Sequence, residues 1–317
     1  MFDGRITLED RDLLDSFLDG FDYKTSGLSY TSLFMWREIN HFTWGILGDY
    51  LCIVGVDNLD LAMAENVEGD DIGDPFMFIP LTRTGGYEPE SLRRTILEAK
   101  ALFDGIGKPF AIKLVPFHML DILREAMPNE LDFEADRPNF DYLYSTKSLI
   151  ELKGRAYHSK KNHLNYFLAN NEYEYGEMTP DMTDDAMAFI SEFNERKNLE
   201  DPYERLLLDY EERAMRDVFL NLDTVGFLSG VIRIGGKIEA ISIGGRLGKK
   251  TVTVHVEKAN TEYRGLYQAI NNEFCKHMAS NVKRINREED MGLPGLRKAK
   301  LSYHPVKFVE KYVVSLK

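Results

Sequence analysis

Apolar residues recur along this chain first at helical and then at strand spacing, and the alternation of the two runs through it twice. Leu8, Leu13, Leu14, Phe17 and Leu18 predict an amphipathic opening helix, followed by an aromatic-rich stretch from Leu33 to Trp44. Compact apolar runs at Tyr50 to Val56 and Pro75 to Leu81 predict strands, separated by an acidic loop containing Glu68, Asp70, Asp71 and Asp74. Leu92, Ile96, Ala99 and Phe103 repeat at helical spacing between start signals at Pro89 and Ser91 and stop signals at Gly105 and Gly107. Strand, helix and strand are then expected at 111–115, 116–127 and 140–144.

A second round begins near residue 146, with helices over 155–169 and about 184–195. Three β-rich runs follow at 227–234, 238–243 and 251–257, punctuated by Gly235-Gly236 and Gly248-Lys249-Lys250 as in an antiparallel meander. Leu266, Ala269, Ile270, Phe274 and Met278 mark a helix directly after the third run, and 282–287 a final strand. The layout is α+β, not alternating βαβ. No repeat is visible residue by residue, although the halves have room to share a fold.

Length changes the picture next. At 317 residues the chain suits two domains of ordinary size, and no apolar run approaches the roughly 20 residues of a membrane helix. The acidic start MFDGRITLEDRDLLD has no apolar segment of a secretory signal, which predicts a cytoplasmic protein. Two cysteines, Cys52 and Cys275, are too few for a disulfide framework or a thiolate metal site. The net charge of −13 is unevenly spread. Residues 1–145 hold 27 Asp and Glu against 12 Lys and Arg, whereas residues 146–317 hold 25 against 27. The second half is therefore the candidate for binding anions, and the boundary is placed between residues 147 and 148.

Candidate chemistry concentrates in that half. In TVTVHVE, strict alternation puts Val252, Val254 and Val256 on one face and Thr251, Thr253, His255 and Glu257 on the other, where the Glu257 carboxylate would serve as a general base. Arg264-Gly265 immediately precedes a helix, and backbone amides with the positive end of the helix dipole favour phosphate there. Lys160 and Lys161 flank the apolar stripe of the 155–169 helix. The segment GLPGLRKAKLSYHP at 292–305 brings a bend at Pro294, the cations Arg297 and Lys298, and Tyr303, and such a segment can hold an anionic or carbonyl group. His158 and His163 lie about 140° apart on a helix, so no metal site is expected, and P-loop, nucleophile-elbow and dinucleotide fingerprints are absent.

The order of strand hairpin, third strand, Arg-Gly loop and helix resembles the core of the GNAT acyltransferase fold. The segments DYLYSTKSLIELKGRAYHSKKNHLNYF at 141–167 and EEDMGLPGLRKAKLSYHP at 288–305 resemble a bacterial family related to the C-terminal domain of phosphatidylglycerol lysyltransferase. That resemblance covers essentially the whole chain. It implies two tandem GNAT-like domains, 1–147 and 148–317, each with a mixed, mostly antiparallel sheet flanked by helices. It also implies an acyl- or aminoacyltransferase using a phosphate-bearing donor, acyl-CoA or aminoacyl-tRNA, with no tightly bound cofactor and an amine or hydroxyl acceptor. Of the GNAT loop pattern Gln/Arg-x-x-Gly-x-Gly/Ala the chain keeps Gly265, with Tyr267 in the last place. The expected roles are Glu257 as base, Tyr303 as acid, and Arg264 with the Gly265 amide on donor phosphate, supplemented by Lys160, Lys161, Arg297 and Lys298. The alternative is a non-catalytic tandem module that binds a nucleotide, an RNA end or a protein.

Overall fold

The computed structural model describes residues 2–56, 73–196 and 202–317. Glu68, Asp70 and Asp71 of the acidic loop lie outside them. The chain forms two units, residues 1–140 with 309–317, and residues 141–308. The charge break puts a division at 147; the packing unit of the second half begins at Asp141, and the last residues of the chain belong with the first unit.

The first unit is built on a sheet of β1 (Gly4–Arg5), β2 (Thr43–Leu47), β3 (Tyr50–Val56), β4 (Pro75–Met77), β5 (Leu81–Thr82), β6 (Ala111–Pro116), β7 (Leu131–Ala135) and a C-terminal strand, Lys311–Leu316. The order is β1, β2, β3, β4, β6, the C-terminal strand, β7, with β5 beside β3. Among the described residues every pairing in this sheet is antiparallel except β4 with β6. Between those two parallel strands runs the helix Pro89–Gly105. It starts where the sequence signals it, because the Glu88 carboxylate accepts from the amides of Glu90 and Ser91. It buries the four residues of the periodic stripe, Leu92, Ile96, Ala99 and Phe103. Burying each of the three large ones stabilises the unit by about 1.5–3 kcal/mol.

The second unit repeats this topology. Its strands are β8 (Asp141–Ser145), β9 (Glu174–Gly176), β10 (Leu228–Ile234), β11 (Lys237–Leu247), β12 (Thr251–Ala259), β13 (Arg284–Asn286) and β14 (Lys307–Val309), ordered β9, β10, β11, β12, β13, β8, β14. Again one pairing, β12 with β13, is parallel, and a helix, Leu266–His277, connects the two strands. The two Gly-marked turns of the predicted meander are the β10–β11 and β11–β12 hairpins. Leu266, Ala269 and Ile270 pack with Leu164 and Phe167 of the helix His158–Asn170 and with Ala240 and Ala259 of the sheet. The opposite face carries the helices Thr183–Glu195 and Pro202–Leu220, from which Glu211 pairs with the nearly buried Lys258 of β12 at 2.9 Å. No helix among the described residues is long and apolar enough to cross a membrane.

Two expectations change. Pro294 does not mark a bend: it opens the helix Pro294–Leu301, where its missing N–H costs nothing and its φ is already helical. The alternation of Thr251 to Glu257 is also broken. Register passes from Ile243 opposite Val256 to Gly244 opposite Val254, leaving His255 unopposed in a bulge. Glu257 therefore lies on the side of Val252 and Val254, under the 266–277 helix, and does not share a polar face with His255.

Candidate active site

β12 pairs with β13 only over Thr251 to Thr253, then continues to Ala259 while β13 ends at Asn286. The two strands part, and the next residue, Arg287, spans the opening. Its Nη2 donates to Glu257 Oε1 at 2.8 Å, and the other carboxylate oxygen, Oε2, accepts from Asn271 Nδ2 of the overlying helix at 2.8 Å. Both side chains of the ion pair are largely shielded, at 14% and 8% exposure. Burial is the largest single influence on Arg287 and works against its charge, but the Glu257 carboxylate together with Tyr144, Tyr303 and Cys275 holds the guanidinium above its ordinary value.

Two tyrosines enclose this cation, with ring centres 4.9 Å (Tyr303) and 5.8 Å (Tyr144) from the guanidinium carbon. Burial pushes the Tyr303 phenol up to about 12, Arg287 opposing and Glu257 reinforcing the shift, so the group stays protonated through the neutral range. Lys160 reaches the same cluster from the 158–170 helix, its Nζ 4.3 Å from the Tyr303 ring centre. Burial, together with the repulsion of Arg287, lowers its pKa. Glu257, Tyr303 and Lys160 are thus brought together around a residue that the sequence pattern places only at the end of a strand.

The backbone that presents Arg287 is held in an unusual path. Glu288 and Met291 have φ of 56° and 51°, in the left-handed region that side chains rarely occupy. Side chains fix this turn from every side. Asp290, fully buried, accepts two bonds of 2.8 Å from Arg297 and one of 2.9 Å from the Gly292 amide, and the Tyr142 hydroxyl also donates to it. Lys300 donates to the carbonyls of Arg287 and Glu289. Glu288 Oε1 lies 2.8 Å from His255 Nδ1, and the Glu288 amide donates to Asn286 Oδ1 at 2.8 Å.

The remaining predicted residues are placed differently. Arg297 is committed to Asp290, and Lys161 and Lys298 are exposed. Arg264 lies with its guanidinium carbon 4.4 Å from the centre of the Tyr166 ring. Gly265 begins the 266–277 helix at φ 91°, without a side-chain cap. A Cβ there would stand 2.1 Å from the His163 carbonyl oxygen, so this glycine permits the close crossing of two helices. Both cysteines are buried, which pushes their thiols up to about 12 and away from nucleophilic thiolate chemistry.

Sequence reasoning missed Arg287, Tyr144 and Asn271. A signal existed for one of them: Asn271, Asn272 and Glu273 interrupt the apolar stripe between Ile270 and Phe274, and all three are buried. A polar run inside a buried helix implies partners.

The family described as phosphatidylglycerol lysyltransferase, C-terminal, matches residues 20–315. The chain belongs to this family. It is 30% identical to a conserved protein of unknown function from Bacteroides thetaiotaomicron, over 98% of both chains and with a TM-score of 0.82. L-PGS from Bacillus licheniformis superposes over 96% of this chain and 91% of its own, with 12% identity and a TM-score of 0.62. FemX superposes over 98% and 96%, with 7% identity and a TM-score of 0.61. An uncharacterised protein of Mycoplasmoides gallisepticum is 27% identical over 191 residues, and the chain spans 56% of that relative's length. Each of the two units of this family member is a mixed sheet flanked by helices, and the likeness to L-PGS and FemX is one of fold.

Proposed function

We propose that the protein is a cytoplasmic acyl- or aminoacyltransferase whose second unit moves the group from a phosphate-bearing donor, aminoacyl-tRNA or acyl-CoA, to an amine or hydroxyl. The observation that carries this reading is the shielded Glu257–Arg287 pair with Tyr303 and Lys160 around it. A buried cation next to a neutral phenol suits a carbonyl that gains negative charge during attack. Membership of a family described by lysyl transfer favours an aminoacyl group.

In this mechanism the acceptor nitrogen or oxygen attacks the donor carbonyl carbon, and Glu257 takes the proton that the acceptor loses. Arg287 and Lys160 stabilise the resulting oxyanion. The tetrahedral centre then collapses, the bond to the leaving ribose oxygen or thiolate breaks, and Tyr303 protonates the leaving group. The proton held by Glu257 then restores the phenol of Tyr303 by way of solvent, so that one proton passes in total from acceptor to leaving group. Arg264, the backbone at Gly265 and Lys161 hold donor phosphate, while Arg297 fixes the 286–292 turn and Lys298 adds positive charge beside it.

A transfer assay comparing aminoacyl-tRNA with acyl-CoA tests the assignment. With the preferred donor, Glu257→Gln and Tyr303→Phe should each reduce turnover by roughly 100-fold or more while leaving donor binding nearly intact. Arg264→Ala should mainly raise KM. Unchanged turnover in both of the first two variants would refute the roles, and donor binding without transfer in the wild type would favour a binding module.

A further inference from the structure

The first unit holds a recess of about 130 Å³ that the transfer mechanism does not use. Phe21 and Tyr87 form two of its walls, with ring planes at 84° and centres 5.7 Å apart. Pro89 and Leu92, from the start of the 89–105 helix, and Ile122, from the helix Leu120–Ala126, add apolar surface, and Glu125 completes the lining. The aromatic walls are fixed in place. Tyr87 stacks on Tyr50 and donates to the Pro80 carbonyl at 2.8 Å, while the His118 imidazole lies parallel to the Phe21 ring. Gly85 brings its loop against residue 20: at φ 74° a Cβ would stand 2.6 Å from the Gly20 carbonyl oxygen.

Charge decides what such a recess takes. Glu125 is exposed and has no hydrogen-bond or ion-pair partner among the described residues. It belongs to the acidic half of the chain, where residues 1–145 hold 27 Asp and Glu against 12 Lys and Arg. The positive end of the 89–105 helix would favour an anion, but Glu88 already closes it by accepting from the amides of Glu90 and Ser91, and Pro89 has no N–H to offer. Burial pushes the Tyr87 phenol far above its ordinary value, so this wall stays neutral.

We propose that this recess binds a quaternary ammonium group, with the Phe21 and Tyr87 rings beside its methyl groups and Glu125 as its counter-ion. Aromatic rings attract a cation through their quadrupole, and the attraction is strongest where water is displaced. A primary ammonium would bring three N–H donors, and the side chains of Pro89, Leu92 and Ile122 have no acceptor for them. A quaternary nitrogen has no donor to satisfy. Size agrees with a compact head. A cavity of roughly 150 Å³ holds one benzene, whereas pockets for drug-sized ligands run to roughly 300–1,000 Å³. A soluble cation and the head of a choline lipid share this chemistry. Binding here does not depend on transfer by the second unit.

Calorimetric titration of the whole chain with choline, beside the uncharged isostere dimethylbutanol in which carbon replaces the nitrogen, separates charge from shape. Choline should bind saturably, and the isostere at least ~10-fold more weakly. Phe21→Leu should weaken choline about 10-fold by removing one ring, and Glu125→Gln about 3-fold by removing an exposed counter-ion. Glu98→Gln should leave affinity unchanged, because it lies nine residues, about 14 Å, along the helix from Pro89 and beyond the reach of unscreened charge. If Phe21→Leu does not fold, Glu125→Lys reads the same site from an exposed position and should weaken choline at least ~10-fold. The proposal is overturned by a wild type that does not bind choline saturably, by equal binding of choline and its isostere, or by affinity insensitive to the changes at Phe21 and Glu125. A loss in Glu98→Gln equal to that in Glu125→Gln would also overturn it. Flotation with phosphatidylcholine vesicles identifies the source of the head. Vesicle binding that Phe21→Leu abolishes upholds the site and assigns it to a lipid, and choline binding without vesicle binding upholds it for a soluble ligand.

Discussion

The two units share a strand order and a single parallel pairing with a helix between its strands, yet they fill the same topological place with opposite chemistry. Past the β4–β6 pairing the first unit buries Phe78 and Ile79. Past the β12–β13 pairing the second buries a carboxylate, a lysine and a guanidinium, in Glu257, Lys258 and Arg287. The helices that follow differ in the same way. In the first unit Glu88 closes the N-terminus with its own carboxylate, whereas in the second the start at Gly265 has no side-chain cap. Repetition of a fold thus carries the scaffold and not the site: an opening between parting strands is closed by apolar packing in one copy and by a hydrogen-bonded ion pair in the other.

The sharpest way to break this comparison is Arg287→Met. It leaves Glu257 as a buried carboxylate without its cation, and chemical denaturation should show a loss of about 3–5 kcal/mol. In the first unit Arg93 pairs with Glu130 on the surface, and Arg93→Ala should leave the denaturation midpoint near wild type, since exposed pairs contribute little. Equal losses in the two variants would mean that the burial contrast has no energetic content.

Next in size is Gly265→Ala. A positive φ and a backbone oxygen 2.1 Å from the new Cβ should together cost about 3 kcal/mol, read from the same denaturation curves. A neutral result would mean that the two helices can separate freely. Alkaline titration comes third. The folded Tyr303 phenol has its pKa raised to about 12 from 10.0, so above pH 10 the unfolded chain releases a proton that the folded one retains. Stability from this group is complete below pH 10 and is lost as pH climbs toward 12, at about 1.4 kcal/mol per pH unit. Tyr303→Phe should flatten that decline, and an unaltered slope would exclude Tyr303 as its source. Smallest is Glu88→Ala, which removes the cap that the second unit lacks and should cost about 1 kcal/mol. A larger loss would show that the carboxylate does more than close a helix.

Elements whose identity depends on their own residues were legible in the sequence. The Pro89–Gly105 helix buries the stripe that its spacing marks, and the Gly-punctuated runs form the β10 to β12 meander. Features that depend on a partner strand or a distant turn were not. The bulge at His255 is a property of the register with β11, and no local rule of alternation can anticipate it. The importance of Arg287 arises from Glu257, Tyr144 and Tyr303, which three other elements bring to it. Arg297 was conspicuous as a cation in a Gly/Pro-rich segment, but its partner Asp290 lies in the turn it supports.

The C-terminal strand Lys311–Leu316 lies between β6 and β7 and hydrogen-bonds to both. During synthesis β6 and β7 emerge with their facing edges unfilled, and the whole second unit must be translated before the strand that fits between them exists. Long sequence separation of this kind slows closure, and open edges invite pairing with other chains in the interval. The unit that leaves the ribosome first is therefore the one whose sheet is completed last.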